Sequence, residues 1–252
     1  MNRLIVRWLA TAACAAAYVH AQALPTAESI LDRFVEVTGG KAAYQQHTTE
    51  IMAGTMAIAP QGLTGRLTRY ALAPDKEYSV VELGPIGKIE SGVSGGIAWE
   101  RSALLGPRLK SGEERAQALR EAQFASPLAW RKNFPKAETS GVETVNGEEC
   151  YKLLLTPAAG KPETRFYSRK SGLLLKAVAT AVTPMGEITA EVEISGYQQF
   201  GGVLYPTQSR QKTGGQEMVI TITDVRHNEA VPDGYFEVPA EIQALILKAA
   251  GK

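Results

Sequence analysis

Histidine, cysteine and carboxylate side chains are the residues of this sequence that could carry out catalysis or bind a metal. Beyond residue 23 the chain has two histidines, His47 and His227, in unrelated sequence surroundings. A metal site needs convergent ligands, such as the two histidines of a His-Glu-x-x-His helix. The sequence has no such pattern, so we predict no metal site and interpret His227 as a hydrogen-bonded structural residue.

The remaining candidates for chemistry also favour structural roles. Cys150 is the one cysteine after residue 23, and a lone cysteine in a strand-like run is typically a small buried side chain. Glu187, Glu191 and Glu193 alternate onto one strand face, which is typical of a solvated surface. The glycine-rich run 92–96 has no helix after it, which indicates a hairpin turn and not a phosphate loop. We predict that the protein is not an enzyme and needs no cofactor.

Charge excludes one class of partner. The chain has 27 basic and 26 acidic residues, and residues 1–23 contain two of the basic ones, Arg3 and Arg7, and no acid. The remainder therefore has a net charge of 25 − 26 = −1. A chain with this balance has no electrostatic attraction for polyanions, so we predict no nucleic-acid partner.

Residues 1–23 have the pattern of a secretory signal peptide. Arg3 and Arg7 form a basic start, residues 8–19 are a short apolar run, and small residues precede a cleavage point after Ala23. Cleavage after Ala21 is a second option, and a weak lipobox ending at Cys14 offers the alternative of a lipoprotein. The apolar run is shorter than the roughly 20 residues that a membrane-spanning helix needs. The sequence therefore predicts a periplasmic protein.

The rest of the chain predicts one domain, 24–252, made mainly of antiparallel strands. A helix with Thr26 as N-cap comes first and ends at Gly39-Gly40. Helix formers return at 111–124 and 126–134, and an amphipathic helix ends the chain at 240–252. The strands are short and separated by turn residues, including Asn146-Gly147 between two strand-like runs. They are predicted at 50–59, 63–72, 77–83, 88–92, 95–101, 138–145, 150–156, 164–168, 173–182, 187–194, 200–206 and 218–225.

So many strands cannot stay in one flat sheet, because sheets of this size curl. The fold class predicted is therefore mainly β (α+β): a strongly curved antiparallel sheet forming an unclosed β-barrel. An N-terminal helix, mid-chain lid helices and a short C-terminal helix accompany the sheet.

Two segments resemble bacterial outer-membrane lipoprotein-sorting (LolA-like) proteins. The first contains Gly196-Tyr197, Gly201-Gly-Val-Leu-Tyr-Pro206, Ile222-Thr-Asp-Val-Arg-His-Asn228 and Val231-Pro-Asp-Gly-Tyr-Phe-Glu-Val-Pro239. The second is Phe166-Tyr-Ser-Arg-Lys-Ser-Gly-Leu-Leu-Leu-Lys176, where serine replaces the family's commoner aspartate and threonine. The resemblance implies a half-barrel around an apolar cavity, closed by lid helices and a cavity arginine, for which Arg66 and Arg69 are candidates.

The candidate ligand-binding residues are apolar or aromatic side chains of the predicted strands and lid helices. On the strands they are Met52, Met56, Leu67, Tyr78, Val80, Trp99, Ile188, Val192, Ile220 and Ile222. On the lid helices they are Leu119, Phe124, Leu128 and Trp130. In an ordinary barrel these side chains would simply form the core, whereas the resemblance implies that part of this surface stays open to acyl chains.

Two functions remain open at this stage. The first is a monomeric periplasmic carrier that binds lipid or lipoprotein acyl chains in the cavity. The second uses the same fold as an envelope sensing or protein-interaction domain, with an envelope protein as its partner and no lipid transport. Fold alone does not decide between them.

Overall fold

The computed structural model describes residues 23–183 and 186–251, so the predicted signal peptide lies almost wholly outside the described residues. The helices are α1 (Ala27–Val37), α2 (Gly40–Gln45), α3 (Gly112–Glu121), α4 (Trp130–Asn133) and α5 (Ala240–Ala250). The first seven strands are β1 (Thr49–Ile58), β2 (Leu63–Leu72), β3 (Lys76–Leu83), β4 (Gly87–Ser94), β5 (Ile97–Ser102), β6 (Gly106–Leu109) and β7 (Lys136–Val145). The others are β8 (Glu148–Thr156), β9 (Glu163–Ser168), β10 (Leu174–Thr183), β11 (Gly186–Phe200), β12 (Val203–Thr213) and β13 (Gln216–His227).

All thirteen strands belong to one antiparallel sheet, in the order β6-β5-β4-β3-β2-β1-β13-β12-β11-β10-β9-β8-β7. Strands that follow each other in sequence pair, except β6 and β7, and β1 pairs with β13 as well as with β2. The helices α3 and α4 occupy the connection between β6 and β7, which are the two edges. The sheet is therefore not closed, which confirms the predicted fold class.

The contacts of α3 show that the sheet is curved. This helix packs through Ala118, Leu119 and Ala122 on Val93 and Ala98, and it also contacts β10. In a flat sheet the eight inter-strand steps of about 4.8 Å from β5 to β10 would separate these strands by roughly 38 Å. A helix is only about 10–12 Å across. The sheet must therefore curl around α3, and we call the surface that α1, α3 and α4 cover the concave face.

The main core lies where α1 and α4 cover β8 and β9. Thr26 caps α1 by accepting a hydrogen bond from Ser29 N at 3.3 Å, and the helix then buries Ile30 and Leu31. These pack on a group of fully buried side chains on the concave face, Leu153, Leu155 and Tyr167. Burying one side chain of this size stabilises the fold by about 1.5–3 kcal/mol. This cluster fixes α1 to the β7–β9 side of the sheet.

The C-terminal segment packs on the opposite face. The Tyr235 ring lies 4.8 Å from the Tyr70 ring and 4.9 Å from the Tyr78 ring. Arg101 forms an ion pair with Glu241 at the start of α5, and Ile242 is fully buried. The concave face is therefore left to α1–α4.

Local turn chemistry explains several connections. Asn146 and Gly147 have φ values of 49° and 83°, as a two-residue type I′ turn requires, and β7 and β8 form the predicted hairpin. The short strand β6 was not predicted, because Gly106-Pro107 reads as a turn; its four residues pair with β5.

Candidate functional site

Glu50, at the start of β1, is the centre of a polar cluster on the concave face. Its carboxylate accepts hydrogen bonds from Arg69 Nη1 at 2.8 Å and from the Tyr205 hydroxyl at 2.7 Å. His227 Nε2 lies 3.7 Å from this carboxylate and 2.8 Å from the Tyr205 hydroxyl oxygen. Glu77 Oε2 accepts from Arg69 Nε at 2.9 Å and Nη2 at 2.7 Å. One guanidinium therefore lies between two carboxylates.

Strand register brings these distant residues together. Glu50 opposes His227 on β13 and Ala71 on β2, and Ala71 opposes Glu77 on β3. Directly opposed residues share a face of the sheet, so all four lie on one surface. The β1–β13 pairing therefore assembles the cluster.

The pKa of Glu50 is set by opposing effects. Burial by itself would raise the pKa of this carboxyl, which is 8% exposed. The contact with His227, the Arg69 guanidinium and the Tyr205 hydroxyl outweigh burial, and the pKa of Glu50 is lowered. Burial and the nearby Glu50 carboxylate raise the pKa of Tyr205, which keeps its hydroxyl protonated. The cluster is thus an ionised carboxylate held by donors.

The two histidines stack on each other beside the cluster. The ring centroids of His47 and His227 are 3.8 Å apart with an interplanar angle of 19°, and His47 Nε2 donates to the Gly201 carbonyl oxygen at 2.8 Å. Gly201 has φ 54°, and a Cβ there would lie 2.6 Å from His227 Nδ1. Only glycine fits against the stacked rings. Both histidines are hydrogen-bonded, as predicted for His227.

A cavity of about 220 Å³ lies over this cluster. Its floor is the concave face, with Glu50, Met52 and Arg69, and the connecting segment 123–127, between α3 and α4, lies across it. The Phe124 amide holds this segment in place by donating to the Pro74 carbonyl oxygen at 2.9 Å. The other lining residues are Phe34, Tyr44, His47, Ala71 and 203–206.

Seven of the predicted strand residues lie on the concave face. The register relates them: Leu67 opposes Gly54, which opposes Ile222, and Met56 opposes Ile220. The seven are Met52, Met56, Leu67, Ile188, Val192, Ile220 and Ile222. None is fully buried; each side chain remains partly exposed. The concave face therefore carries apolar side chains that no helix covers completely.

Tyr78, Val80 and Trp99 are placed on the other face. Arg69, on the concave face, opposes Ser79, so the flanking Tyr78 and Val80 point away from it. Tyr78 opposes Gly92, and Gly92 opposes Trp99, whose ring covers the glycine. These three residues therefore belong to the opposite face, on which Tyr235 packs. The sequence had predicted them on the concave face, so that prediction was wrong.

The predicted lid residues take different positions. Leu119 packs toward Val93 and Ala98, and Phe124 lines the cavity. Leu128 lies in a single 3-10 turn, Ser126–Ala129. Trp130 is buried against α1, where its indole Nε1 donates to Asp32 Oδ1 at 3.1 Å. The structure therefore does not bring all four to one surface.

The sequence pattern missed the Glu50 cluster. The available signal was a glutamate at the start of an apolar strand. Glu50 and Met52 are two residues apart, so they lie on the same face of the strand. Arg69 was considered only as a lid contact, whereas it binds Glu50 and Glu77.

Over residues 23–183 and 186–251, no group of three or more His, Cys, Asp or Glu side chains could hold a metal ion. Within the same ranges no helix combines the length and apolar character needed to cross a bilayer.

Comparison with solved structures defines the class of fold. A LolA superfamily protein from Nitrosomonas europaea superposes with a TM-score of 0.59 at 15% identity, over 85% of this chain and 99% of that one. A DUF1329 family protein from Desulfovibrio piger superposes with a TM-score of 0.57 at 17% identity, over 84% of this chain and 97% of that one. A protein domain from Vibrio parahaemolyticus that is assigned as an outer membrane lipoprotein-sorting protein superposes with a TM-score of 0.56 at 13% identity, over 84% of this chain and 97% of that one. The fold is therefore LolA-like.

At the level of sequence the comparisons add nothing to this assignment. No protein-family model matches the chain, and no curated protein matches it significantly.

Proposed function

We propose that this protein is a periplasmic carrier that binds lipid or lipoprotein acyl chains on the concave face. One observation carries the proposal. Leu153, Leu155 and Tyr167 are fully buried beneath α1, whereas the seven apolar residues from Met52 to Ile222 named above stay partly exposed on the same face. Apolar surface left open inside a curved sheet favours burial of an apolar ligand.

Chain placement and composition support the proposal. The predicted signal peptide directs the protein to the periplasm, where acyl chains must be shielded from water on their way between membranes. Met52 and Met56 on the open surface suit chains of variable shape, since methionine adapts to irregular partners. The charged groups of the Glu50 cluster hydrogen-bond one another. Such a cluster is better suited to form a rigid polar border of the binding site than to catalyse a reaction.

The test is native mass spectrometry on protein released from a periplasm without detergent, followed by solvent extraction. The proposal predicts a discrete mass above that of the chain and an acylated compound in the extract. A clean apo mass that stays unchanged after incubation with lipid vesicles would contradict the carrier function. That result would favour the sensing or protein-interaction alternative, for which a pull-down from envelope extracts is the matching measurement.

A further inference from the structure

A second, smaller cavity lies between α1, α4 and β9 on the same concave face. Its volume is about 120 Å³, roughly half that of the larger cavity. Phe34, Ser126 and Pro127 line both this cavity and the larger one, so the two adjoin. It has room for a compact polar group.

Two arginines line this cavity, and among the described residues only one of them, Arg165, forms an ion pair. The guanidinium carbons of Arg165 and Arg120 lie 4.9 and 5.7 Å from the centre of the Phe134 ring. Arg165 is paired with Glu163 at 2.6 Å. Arg120 donates to the Ala159 carbonyl oxygen at 3.3 Å and forms no ion pair with any residue that the structure describes. An anion bound in the cavity would supply Arg120 with the ion-pair partner that it lacks among the described residues.

Asn133 supplies a second, independent feature. Its side chain lines the cavity and only 8% of the residue is exposed. Among residues 23–183 and 186–251 its carboxamide has no hydrogen-bond partner. Its unpaired amide atoms remain accessible, so they can hydrogen-bond a group that enters the cavity.

The lining also holds two carboxylates, Glu121 and Glu163, and both are already engaged. Glu163 is engaged by Arg165, and Glu121 accepts from Gln117 Nε2 at 2.8 Å. Burial raises the pKa of Tyr167, so its hydroxyl keeps its proton. A group with several acceptor oxygens and a negative charge fits this arrangement best.

We propose that this cavity binds the phosphate group of a phospholipid whose acyl chains lie on the open part of the concave face. The inference rests on the proposed carrier function and narrows its ligand to an acyl lipid with a phosphate headgroup. Arg120 and Arg165 would bind the phosphate oxygens through charge-assisted hydrogen bonds, and Asn133 would donate a further one.

Isothermal titration calorimetry on the purified full chain tests the inference with three probes: inorganic phosphate, dihexanoyl phosphatidylglycerol and dihexanoyl glycerol. Arg120→Gln is expected to weaken phosphatidylglycerol binding about tenfold, as loss of one charge-assisted hydrogen bond does, and to leave dihexanoyl glycerol binding unchanged. Asn133→Ala should act in the same direction with a smaller effect. Lys132→Gln is the matched control, because it removes one positive charge from an exposed position of α4 and should change neither affinity.

The possible outcomes separate this inference from the carrier function. Equal affinity of the native chain for the charged and neutral lipids, unaltered by Arg120→Gln, would overturn the phosphate site while acyl binding stands. Inorganic phosphate binding as tightly as phosphatidylglycerol, without any binding of dihexanoyl glycerol, would support an anion site and overturn its assignment to a lipid headgroup. Failure of all three probes to bind would overturn both proposals.

Discussion

Glu50 illustrates how a charged residue is accommodated inside this sheet. Leaving an ionised carboxylate buried without partners would cost several kcal/mol. Arg69 and Tyr205 donate to its two oxygens, and Arg69 is in turn held by Glu77. The chain therefore keeps a charge on the concave face by surrounding it with donors from two other strands, β2 and β12.

This arrangement predicts a specific pH dependence. The pKa of Glu50 is lower in the folded chain than the ordinary 4.5 of glutamate. Its contribution to stability is therefore complete above about pH 4.5 and is lost as the pH falls through the lowered folded value. Glu50→Gln should cost about 2 kcal/mol near neutral pH and should flatten the decline in unfolding free energy at acid pH.

Urea unfolding between about pH 7 and about pH 3 measures this effect. The control is Glu237→Gln, which changes an exposed glutamate and should leave the pH profile as it is. Parallel profiles for the native chain and Glu50→Gln would show that the carboxylate contributes nothing.

At the level of elements, the connecting segment 123–127 is the least regular part of the concave side. Ala125 has φ 51°, in the left-handed region, just before the 3-10 turn Ser126–Ala129. That conformation costs a non-glycine residue about 1–2 kcal/mol. The Phe124–Pro74 hydrogen bond holds the segment over the larger cavity in spite of this cost.

Replacing Ala125 tests this strain. Glycine adopts the left-handed region freely, so Ala125→Gly should leave the unfolding free energy unchanged or raise it by up to about 1 kcal/mol. Ala129→Gly is the matched control: Ala129 has φ −92°, and the same change there should destabilise the chain by about 0.5–1 kcal/mol. Equal losses from both changes in chemical denaturation would contradict a strained Ala125.

The elements also show what sequence can and cannot predict. The Asn146-Gly147 hairpin was predictable because its signal is local. The β1–β13 pairing that assembles the Glu50 cluster joins distant segments, and no local pattern encodes it. Tyr78 and Trp99 were misplaced for a related reason. Alternation separates two faces of a strand but does not say which one the sheet curves toward.

At the scale of the whole molecule, the opening of the sheet and the position of the helices have one cause. The chain leaves the sheet after β6, forms α3 and α4, and returns as β7 at the opposite edge. The helices therefore lie inside the curve and bury Leu153, Leu155 and Tyr167 of β8 and β9, but they leave β11 and β13 partly open. Strand count predicted a curled sheet; the degree of helix coverage depends on side-chain packing that no single segment specifies.

The central claim is that this open apolar surface binds acyl chains, and a charge placed on it tests the claim most directly. Ile220 lies on the concave face, whereas its neighbour Val219, opposite Arg210, lies on the other face, and both are partly exposed. The measurement is titration with a polyene fatty acid whose fluorescence rises in apolar surroundings. We predict that Ile220→Glu weakens its binding about tenfold or more, because the bound chain would bury a carboxylate, and that Val219→Glu leaves binding unchanged. Equal affinities of the two variants and the native chain would contradict the claim.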